Sequence, residues 1–163
     1  MFDKKSLRKK LKITRANVKN KVAKDENIKT QLLGFLAKNF TNAKTIFIYQ
    51  SFGTEVATTE IIEELGKLGL KILIPKTDEN FNMQAVCIKT SNVFADTPSI
   101  TIVPLLGFNK GNHRIGYGKA CYDKFFAFYP NSIKIGLAYK EQLCDFLSDT
   151  HDIPLDYIIT DTV

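Results

Sequence analysis

The chain has 163 residues, of which 44% are hydrophobic and 25% are charged, and this composition is typical of one globular domain. A chain of this length folds without a disulfide or metal staple, and its composition excludes wholesale disorder, a collagen-like chain and a heptad rod. The apolar runs are only a few residues long, whereas a membrane-spanning helix needs about 20. No charged-then-apolar leader is recognisable, so we expect a single domain over residues 1–163 in the cytoplasm.

The cysteines Cys87, Cys121 and Cys144 are widely spaced and form no CxxC pair. This spacing predicts neither a zinc site nor a disulfide framework. Reduced thiols of this kind fit a cytosolic protein.

The net charge of +6 is concentrated at the N-terminus. Residues 1–29 hold eleven Lys and Arg against three Asp and Glu, whereas the remainder is nearly neutral. Such a run indicates a solvated helix face, a nucleic-acid-binding arm or a phosphate-binding wall. Phe2 is the only aromatic residue in the run, and this weakens the hypothesis of single-strand binding, which uses stacking rings.

Hydrophobic periodicity predicts two N-terminal helices, over residues 3–24 and 25–39. Asp3 is a candidate N-cap of the first helix. The apolar positions recur at helical spacing: Leu7, Leu11, Val18 and Val22 in the first helix, and Ile28, Leu32, Phe35 and Leu36 in the second.

The next segments alternate between strand and helix. Residues 45–49 and 70–75 have the apolar, β-branched character of buried strands, and they flank a helix that Thr58 caps and Gly69 ends. This strand–helix–strand spacing predicts a parallel sheet with a right-handed crossover. Further elements are predicted at residues 83–88, 100–103, 134–138 and 157–160 as strands and at 119–128 as a helix. The chain is therefore predicted to be a three-layer α/β domain with a mostly parallel central sheet and two N-terminal helices.

The loop between the strand at 100–103 and the helix at 119–128 carries the most chemistry. Ligands in open α/β sheets bind outside the carboxyl ends of the strands. The loop glycines allow close backbone approach, Arg114 and Lys119 suit a phosphate group, and Asp123 suits a metal that accompanies phosphate. The alternative is a glycine-rich turn with a surface lysine and arginine.

Two standard phosphate-binding patterns do not fit this loop. Tyr117 follows Gly116 where a P-loop requires lysine, and Cys121 stands where the dinucleotide pattern requires its third glycine.

Residues 114–123, RIGYGKACYD, resemble the R-L-G-x-G-x-G-Y-Y-D signature of the 5-formyltetrahydrofolate cyclo-ligase family, also called 5,10-methenyltetrahydrofolate synthetases. Residues 4–8, KKSLR, resemble the family's K-x-x-L-R helix, and residues 55–58, EVAT, resemble its E-V-D-T segment. Residues 152–159, DIPLDYII, resemble its ending, D-x-x-V-D-x-I-I. The four segments agree in order and span nearly the entire chain, which is therefore identified as a member of this family.

The resemblance implies the fold and the activity. The fold is expected to be similar to the NagB/RpiA/CoA-transferase-like fold. The activity is expected to be the ATP- and Mg²⁺-dependent cyclisation of 5-formyltetrahydrofolate to 5,10-methenyltetrahydrofolate, with release of ADP and phosphate. The expected partners are these two small molecules, without nucleic acid or membrane, and the expected state is a monomer or weak dimer.

The resemblance also implies the site residues. Arg114 and Lys119 are expected to be catalytic, and Asp123 and Asp152 are expected to bind magnesium. ATP is expected to contact Lys4, Lys5, Arg8, Arg114, Ile115, Gly116, Tyr117, Gly118, Lys119, Ala120, Cys121 and Tyr122. The folate is expected to contact Arg8, Glu55, Tyr117, Gly118, Lys119, Ala120 and Cys121.

The chain departs from the family pattern at a few positions. Ala120 and Cys121 stand where the family usually has Gly-Tyr, Ala57 replaces Asp, and Asn109 stands where Asp is frequent. An alanine at position 120 requires an ordinary backbone conformation or introduces strain. The alternatives are a nucleic-acid-binding module that uses the basic helix, and a nucleotide-binding homologue with weakened folate activity.

Overall fold

The computed structural model describes residues 3–162. Helices and strands alternate along this part of the chain as the hydrophobic pattern predicts. In chain order the elements are α1 (Lys4–Ala16), α2 (Lys21–Asn39), β1 (Thr45–Ile48), α3 (Thr59–Lys67), β2 (Lys71–Thr77), β3 (Met83–Cys87), β4 (Ile100–Val103), β5 (Gly107–Phe108), β6 (Arg114–Ile115), α4 (Cys121–Phe128), β7 (Ile133–Leu137), a 3₁₀ turn (Lys140–Gln142) and β8 (Tyr157–Ile159).

Six strands form one sheet in the order β3-β2-β1-β4-β7-β8. All neighbouring pairs are parallel except β2 and β3, which are antiparallel. Strands β5 and β6 form a separate antiparallel pair. The predicted α/β class with a mostly parallel sheet is confirmed, and the strand–helix–strand unit of β1, α3 and β2 has the parallel pairing that its spacing predicts.

Side chains of β1 alternate between the two faces of the sheet, and this alternation separates the layers. Ile46 and Ile48 are fully buried in a cluster with residues of α2 and α3. Phe47 points to the opposite face, where its ring stacks on Phe125 of α4 with centroids 4.4 Å apart. Burial of each such side chain contributes about 1.5–3 kcal/mol relative to exposure. The three predicted layers are therefore helices α2 and α3, the sheet, and helix α4.

Helix α1 lies outside these layers and packs on the short β5–β6 pair. Leu7 and Leu11 form a buried cluster with Leu106 and Ile115. The contact is close at Gly107, where an added Cβ atom would lie 2.7 Å from Leu11 Cδ1. The glycine thus permits the approach of α1 to the segment that follows β4.

The prediction of one helix over residues 3–24 is wrong, because α1 ends at Ala16 and α2 begins at Lys21. Asn20 adopts a left-handed backbone conformation with φ 57°, which asparagine tolerates better than most residues. The chain therefore turns between the helices, and Val22 is 87% exposed rather than part of the apolar stripe. The helix predicted at 119–128 begins at Cys121, and the β5–β6 pair occupies part of the predicted loop.

The predicted helix-end residues have mixed outcomes. The side chain of Asp3 accepts a hydrogen bond from the Ser6 backbone N–H at 2.9 Å, so its predicted role as N-cap is confirmed. Thr58 holds the N-cap position of α3, but its hydroxyl donates to the Tyr49 carbonyl at 2.9 Å instead of capping the helix. Gly69 has φ +83° just after α3 and ends it as predicted. No helix within residues 3–162 is long and apolar enough to span a membrane.

A buried glutamine holds the chain where it leaves β4. Gln142 is fully buried, and its Nε2 donates to the carbonyls of Leu105 and Leu106 at 2.8 and 3.0 Å. Its Oε1 accepts the Tyr139 backbone N–H at 2.8 Å. One side chain thus satisfies backbone groups on two segments that no strand pairing reaches.

We expect Gln142→Leu to lower the free energy of unfolding by about 2–4 kcal/mol. The Leu106 carbonyl and the Tyr139 N–H lose their bonds to Gln142, at about 1–3 kcal/mol for each buried group, whereas the Leu105 carbonyl keeps its bond from Arg15. Urea unfolding measures this change. The matched control is Gln31→Leu, because Gln31 Nε2 is buried without a hydrogen-bond partner among the described residues. The control is expected to be neutral or stabilising, and equal destabilisation by both substitutions would contradict the role given to Gln142.

Candidate active site

A cavity of about 580 Å³ lies beside the glycine-rich segment that leads into α4. It is bounded by α1, by the ends of β2 and β4, by the turn between β2 and β3, and by the segment before β8. Its lining is Lys4, Arg8, Thr77, Phe81, Met83, Pro104, residues 114–123, Asp149 and Asp152. Among the predicted site residues only Lys5 and Glu55 are absent from this lining. Lys5 is exposed and lies outside the cavity lining.

Helix α1 is tied to the glycine loop, defined here as residues 116–120. Arg8 Nε donates to the Gly116 carbonyl at 3.0 Å. Gly118 has φ +94°, and an added Cβ atom would lie 3.2 Å from Arg8 Cζ. Position 118 therefore requires glycine both for its backbone conformation and for the guanidinium group that lies against it.

The N-terminal lysine of α1 is held by carboxylates from the opposite end of the chain. Lys4 Nζ lies 2.5 Å from Asp149 Oδ2 and 3.1 Å from Asp152 Oδ2. Partial burial alone would lower the pKa of Lys4, but these two bonds outweigh it and the pKa lies above its ordinary value. Burial alone would raise the pKa of Asp152, but the Asp149 backbone N–H and Lys4 lower it overall. Both groups are charged at neutral pH.

Arg114 is the most enclosed cation of the cavity. Its side chain is 7% exposed, and Nη2 lies 3.2 Å from Asp123 Oδ1. The guanidinium group also lies over the ring of Phe126, 4.9 Å from the centroid, and within 5.9 Å of the Tyr122 ring centroid. These contacts hold the forked donor of Arg114 in one orientation at the cavity wall.

Lys119 faces the opposite wall, whose residues were not predicted from the sequence. Its Nζ lies 4.8 Å from the ring centroid of Phe81, in the turn between β2 and β3. Phe81 has φ 60°, and Met83 and Thr77 extend the same wall. Apolar residues in a turn between two strands have no distinctive spacing, so only the fold relates them to the glycine loop.

Glu55 reaches the glycine loop through a tyrosine. Tyr117 donates its hydroxyl to Glu55 Oε1 at 2.8 Å and accepts from Arg15 Nη2 at 2.7 Å. Arg15 is buried in α1 and was not predicted as a site residue. The burial of a basic residue inside a run of exposed lysines leaves no signal in the charge pattern.

Two carboxylates of the wall suit a hard cation. Asp123 pairs with Arg114 through Oδ1, and Asp152 bonds Lys4 and the Asp149 N–H through Oδ2. Each carboxylate thus keeps a second oxygen outside these contacts. Residues 3–162 contain no cluster of three or more His, Cys, Asp or Glu side chains able to hold a metal. Magnesium bound with phosphate typically takes only one or two protein carboxylates, so the residues present fit that ion.

The fold and the cavity define an α/β domain with a glycine loop and four cationic side chains beside the carboxyl edge of a parallel sheet, the usual place for ligand sites. The model of the 5-formyltetrahydrofolate cyclo-ligase family matches residues 1–99 and 89–161. A 5-formyltetrahydrofolate cyclo-ligase of Mycoplasma genitalium is 34% identical over 163 residues, which is 98% of each chain. The chain therefore belongs to the 5-formyltetrahydrofolate cyclo-ligase family, which is ATP-dependent and uses ATP and formyltetrahydrofolate as substrates.

Solved structures agree with this assignment of the chain to the family. The structure of a 5,10-methenyltetrahydrofolate synthetase from Mycoplasma pneumoniae has a TM-score of 0.88 at 32% identity and covers 98% of this chain and 99% of that chain. The NMR structure of Aquifex aeolicus 5,10-methenyltetrahydrofolate synthetase has a TM-score of 0.79 at 22% identity and shows the same fold. The family predicted from the four sequence segments is confirmed.

Ala120 has the left-handed backbone conformation, with φ 55° and ψ 21°. The strain expected for alanine at this position is therefore present, because an L-residue with a Cβ atom loses about 1–2 kcal/mol in this conformation. The position lies at the N-terminus of α4 and is itself part of the cavity lining.

We expect Ala120→Gly to raise the free energy of unfolding by about 1 kcal/mol, because glycine adopts this conformation without a steric penalty. Chemical denaturation measures the change. The matched control is Ala127→Gly, which lies exposed inside α4 and is expected to destabilise by about 1 kcal/mol. A destabilising effect of Ala120→Gly would show that position 120 is not strained.

Proposed function

We propose that this chain catalyses the ATP-dependent cyclisation of 5-formyltetrahydrofolate to 5,10-methenyltetrahydrofolate, with ADP and phosphate as the other products. The observation that carries the proposal is the hydrogen bond from Arg8 to the Gly116 carbonyl. This bond holds the glycine loop against the basic helix α1 beside the cavity. We further propose a cytoplasmic monomer or weak dimer that acts on these two small molecules, without a nucleic-acid or membrane partner.

The chemistry requires a poor leaving oxygen to become a good one. The γ-phosphoryl group of ATP is transferred to the formyl oxygen on N5, N10 attacks the formyl carbon, and phosphate leaves as the ring closes. Phosphoryl transfer depends mainly on positioning and on cations that stabilise negative charge. In this proposal Lys4 and Arg8 bind phosphate from the α1 side, and Arg114 and Lys119 bind it from the other.

Lys4 and Arg114 are paired with carboxylates in the structure, and this pairing prepares the site for an anion. The pairs orient both cations at the cavity wall and also neutralise their charges. A positioned donor aimed at charge that develops in the transition state contributes about 10²–10³-fold to turnover. We assign this role to Arg114, whose contacts with Asp123 and Phe126 hold its guanidinium group in place.

The folate is assigned to the remaining surface of the cavity. Phe81 and Met83 provide apolar area for a flat ring system. Glu55, which lies beside the cavity and accepts the Tyr117 hydroxyl, provides an acceptor for the N–H groups of the pterin. Asp123 and Asp152 are proposed to hold Mg²⁺, which when bound neutralises charge on the phosphoryl oxygens. Two basic residues of α1, Lys4 and Arg8, line the cavity, and this position favours the proposed function over nucleic-acid binding.

The experiment that tests the proposal mixes the purified chain, Mg²⁺-ATP and 5-formyltetrahydrofolate and follows the absorbance of the methenyl product. Product that depends on ATP is expected.

We expect Arg8→Ala to raise KM for ATP about tenfold or more, because hydrogen bonds to charged groups contribute about 1.5–3 kcal/mol.

Lys9→Ala is the control for Arg8→Ala, because Lys9 is the next residue of α1 and is exposed. This control is expected to keep the native KM. Absence of product from the native chain would refute the proposed function, and equal KM values in the two variants would remove Arg8 from the ATP site.

We expect Asp152→Asn to raise the magnesium concentration that gives half-maximal activity several-fold, because it removes a carboxylate charge and keeps the shape of the side chain. Its melting temperature is expected to change little, since a partly exposed ion pair contributes about 0–1 kcal/mol. A magnesium titration at fixed ATP measures the effect. Asp145→Asn, at an exposed position outside the cavity, is the control. A titration curve of Asp152→Asn that overlays the native curve would show that Asp152 is not a ligand.

A further inference from the structure

The guanidinium group of Arg15 is held by three separate parts of the chain. Arg15 is 5% exposed. Its Nε donates to Thr54 Oγ1 at 3.0 Å, its Nη1 to the Leu105 carbonyl at 3.0 Å, and its Nη2 to the Tyr117 hydroxyl at 2.7 Å. Every nitrogen of the group has an acceptor, so the side chain has one stable orientation.

The hydrogen bonds beyond Arg15 have a direction set by chemistry. A guanidinium group only donates, so the Tyr117 oxygen must accept from it. The hydroxyl proton of Tyr117 is then directed to Glu55 Oε1 at 2.8 Å. Burial raises the pKa of Tyr117 to about 12, and the hydroxyl therefore keeps this proton at neutral pH. The second oxygen of Glu55 accepts the Phe52 backbone N–H at 2.9 Å.

This chain of hydrogen bonds joins a carboxylate outside the cavity lining to the loop inside it. Tyr117 follows Gly116, whose carbonyl accepts from Arg8, and Tyr117 is one of the residues that line the cavity. No ion pair joins Arg15 directly to Glu55 in the part of the chain described. The hydrogen bonds from Arg15 therefore reach Glu55 through the tyrosine hydroxyl.

We propose that Arg15 is a positioning residue that acts through the Tyr117 hydroxyl to orient the Glu55 carboxylate, and that it thereby sets the affinity for the folate substrate. This inference rests on the proposed function for the identity of the substrate. Arg15 contacts neither substrate; it fixes the hydroxyl, and the hydroxyl fixes the carboxylate. Without this constraint the carboxylate keeps only the Phe52 N–H and rotates among several orientations.

Tyr117→Phe tests the proposal, because it removes one oxygen atom and keeps the aromatic ring. We expect KM for 5-formyltetrahydrofolate to rise about tenfold, with a smaller change in kcat and in KM for ATP. Calorimetric titration with 5-formyltetrahydrofolate in the absence of ATP is expected to show the same tenfold loss of affinity. An unchanged folate affinity together with a lower melting temperature would overturn the proposal and leave the hydroxyl a structural role only.

Arg15→Lys tests whether the arginine acts through the hydroxyl. Lysine keeps the charge but not the fork that reaches Thr54, Leu105 and Tyr117 together. We expect Arg15→Lys to weaken folate binding, and the double variant Arg15→Lys/Tyr117→Phe to bind folate no more weakly than the weaker single variant. Additive losses in the double variant would overturn the proposal, because they would mean that the two residues act independently.

Tyr157→Phe is the matched control, since Tyr157 lies on β8 against Phe35 and Phe40, away from the cavity. Its folate affinity is expected to equal that of the native chain. The native chain is measured first. Absence of methenyl product and of folate binding there would refute the proposed function, whereas native turnover with unaltered binding by Tyr117→Phe would refute only the role of Arg15.

Discussion

The buried positive charge of Arg15 joins helix α1 to three connections of the sheet. A buried guanidinium group is tolerated only when its donors are paired, and the acceptors for Arg15 come from Thr54, Leu105 and Tyr117. These residues lie after β1, after β4 and in the glycine loop. The wall that α1 contributes to the cavity therefore depends on an interaction that also joins three connections at one edge of the sheet.

The parallel sheet explains why these connections meet. Strands β1 and β4 are parallel neighbours, so the chain leaves both of them at the same edge. Gln142 and Arg15 share the Leu105 carbonyl as an acceptor just beyond β4. The polar groups that parallel pairing leaves unpaired at this edge are satisfied by buried side chains, and the same side chains position the glycine loop.

The charges of the cavity are arranged as internal pairs. Lys4 pairs with Asp149 and Asp152, and Arg114 pairs with Asp123. Each pair lowers the desolvation penalty of a cation close to the protein interior. These contacts orient Lys4 and Arg114 at the cavity wall before any ligand is present. Family membership and this arrangement support the same assignment of phosphate to the region between α1 and the glycine loop.

The sequence by itself determined the fold class, the family and most of the cavity lining. Strand alternation and helix periodicity depend on neighbours a few residues away, and the Asp3 cap and the Gly69 helix end are equally local. The segment 114–123 is continuous, so its glycines and Arg114 could be identified as one loop without knowledge of the fold.

Only the tertiary structure decided which side chains outside that segment reach it. Residues 3–24 form one periodic pattern, yet the chain turns near Asn20, because the burial of Arg15 and the packing of α2 on the sheet outweigh local helix propensity. Phe81 joins the cavity because the β2–β3 turn lies near the glycine loop, whereas Lys5 of α1 is exposed and does not line the cavity. Arg15 and Tyr117 are 102 positions apart in the chain. A hydrogen bond across that separation forms only after the sheet has brought both segments to one edge, and no local pattern encodes it.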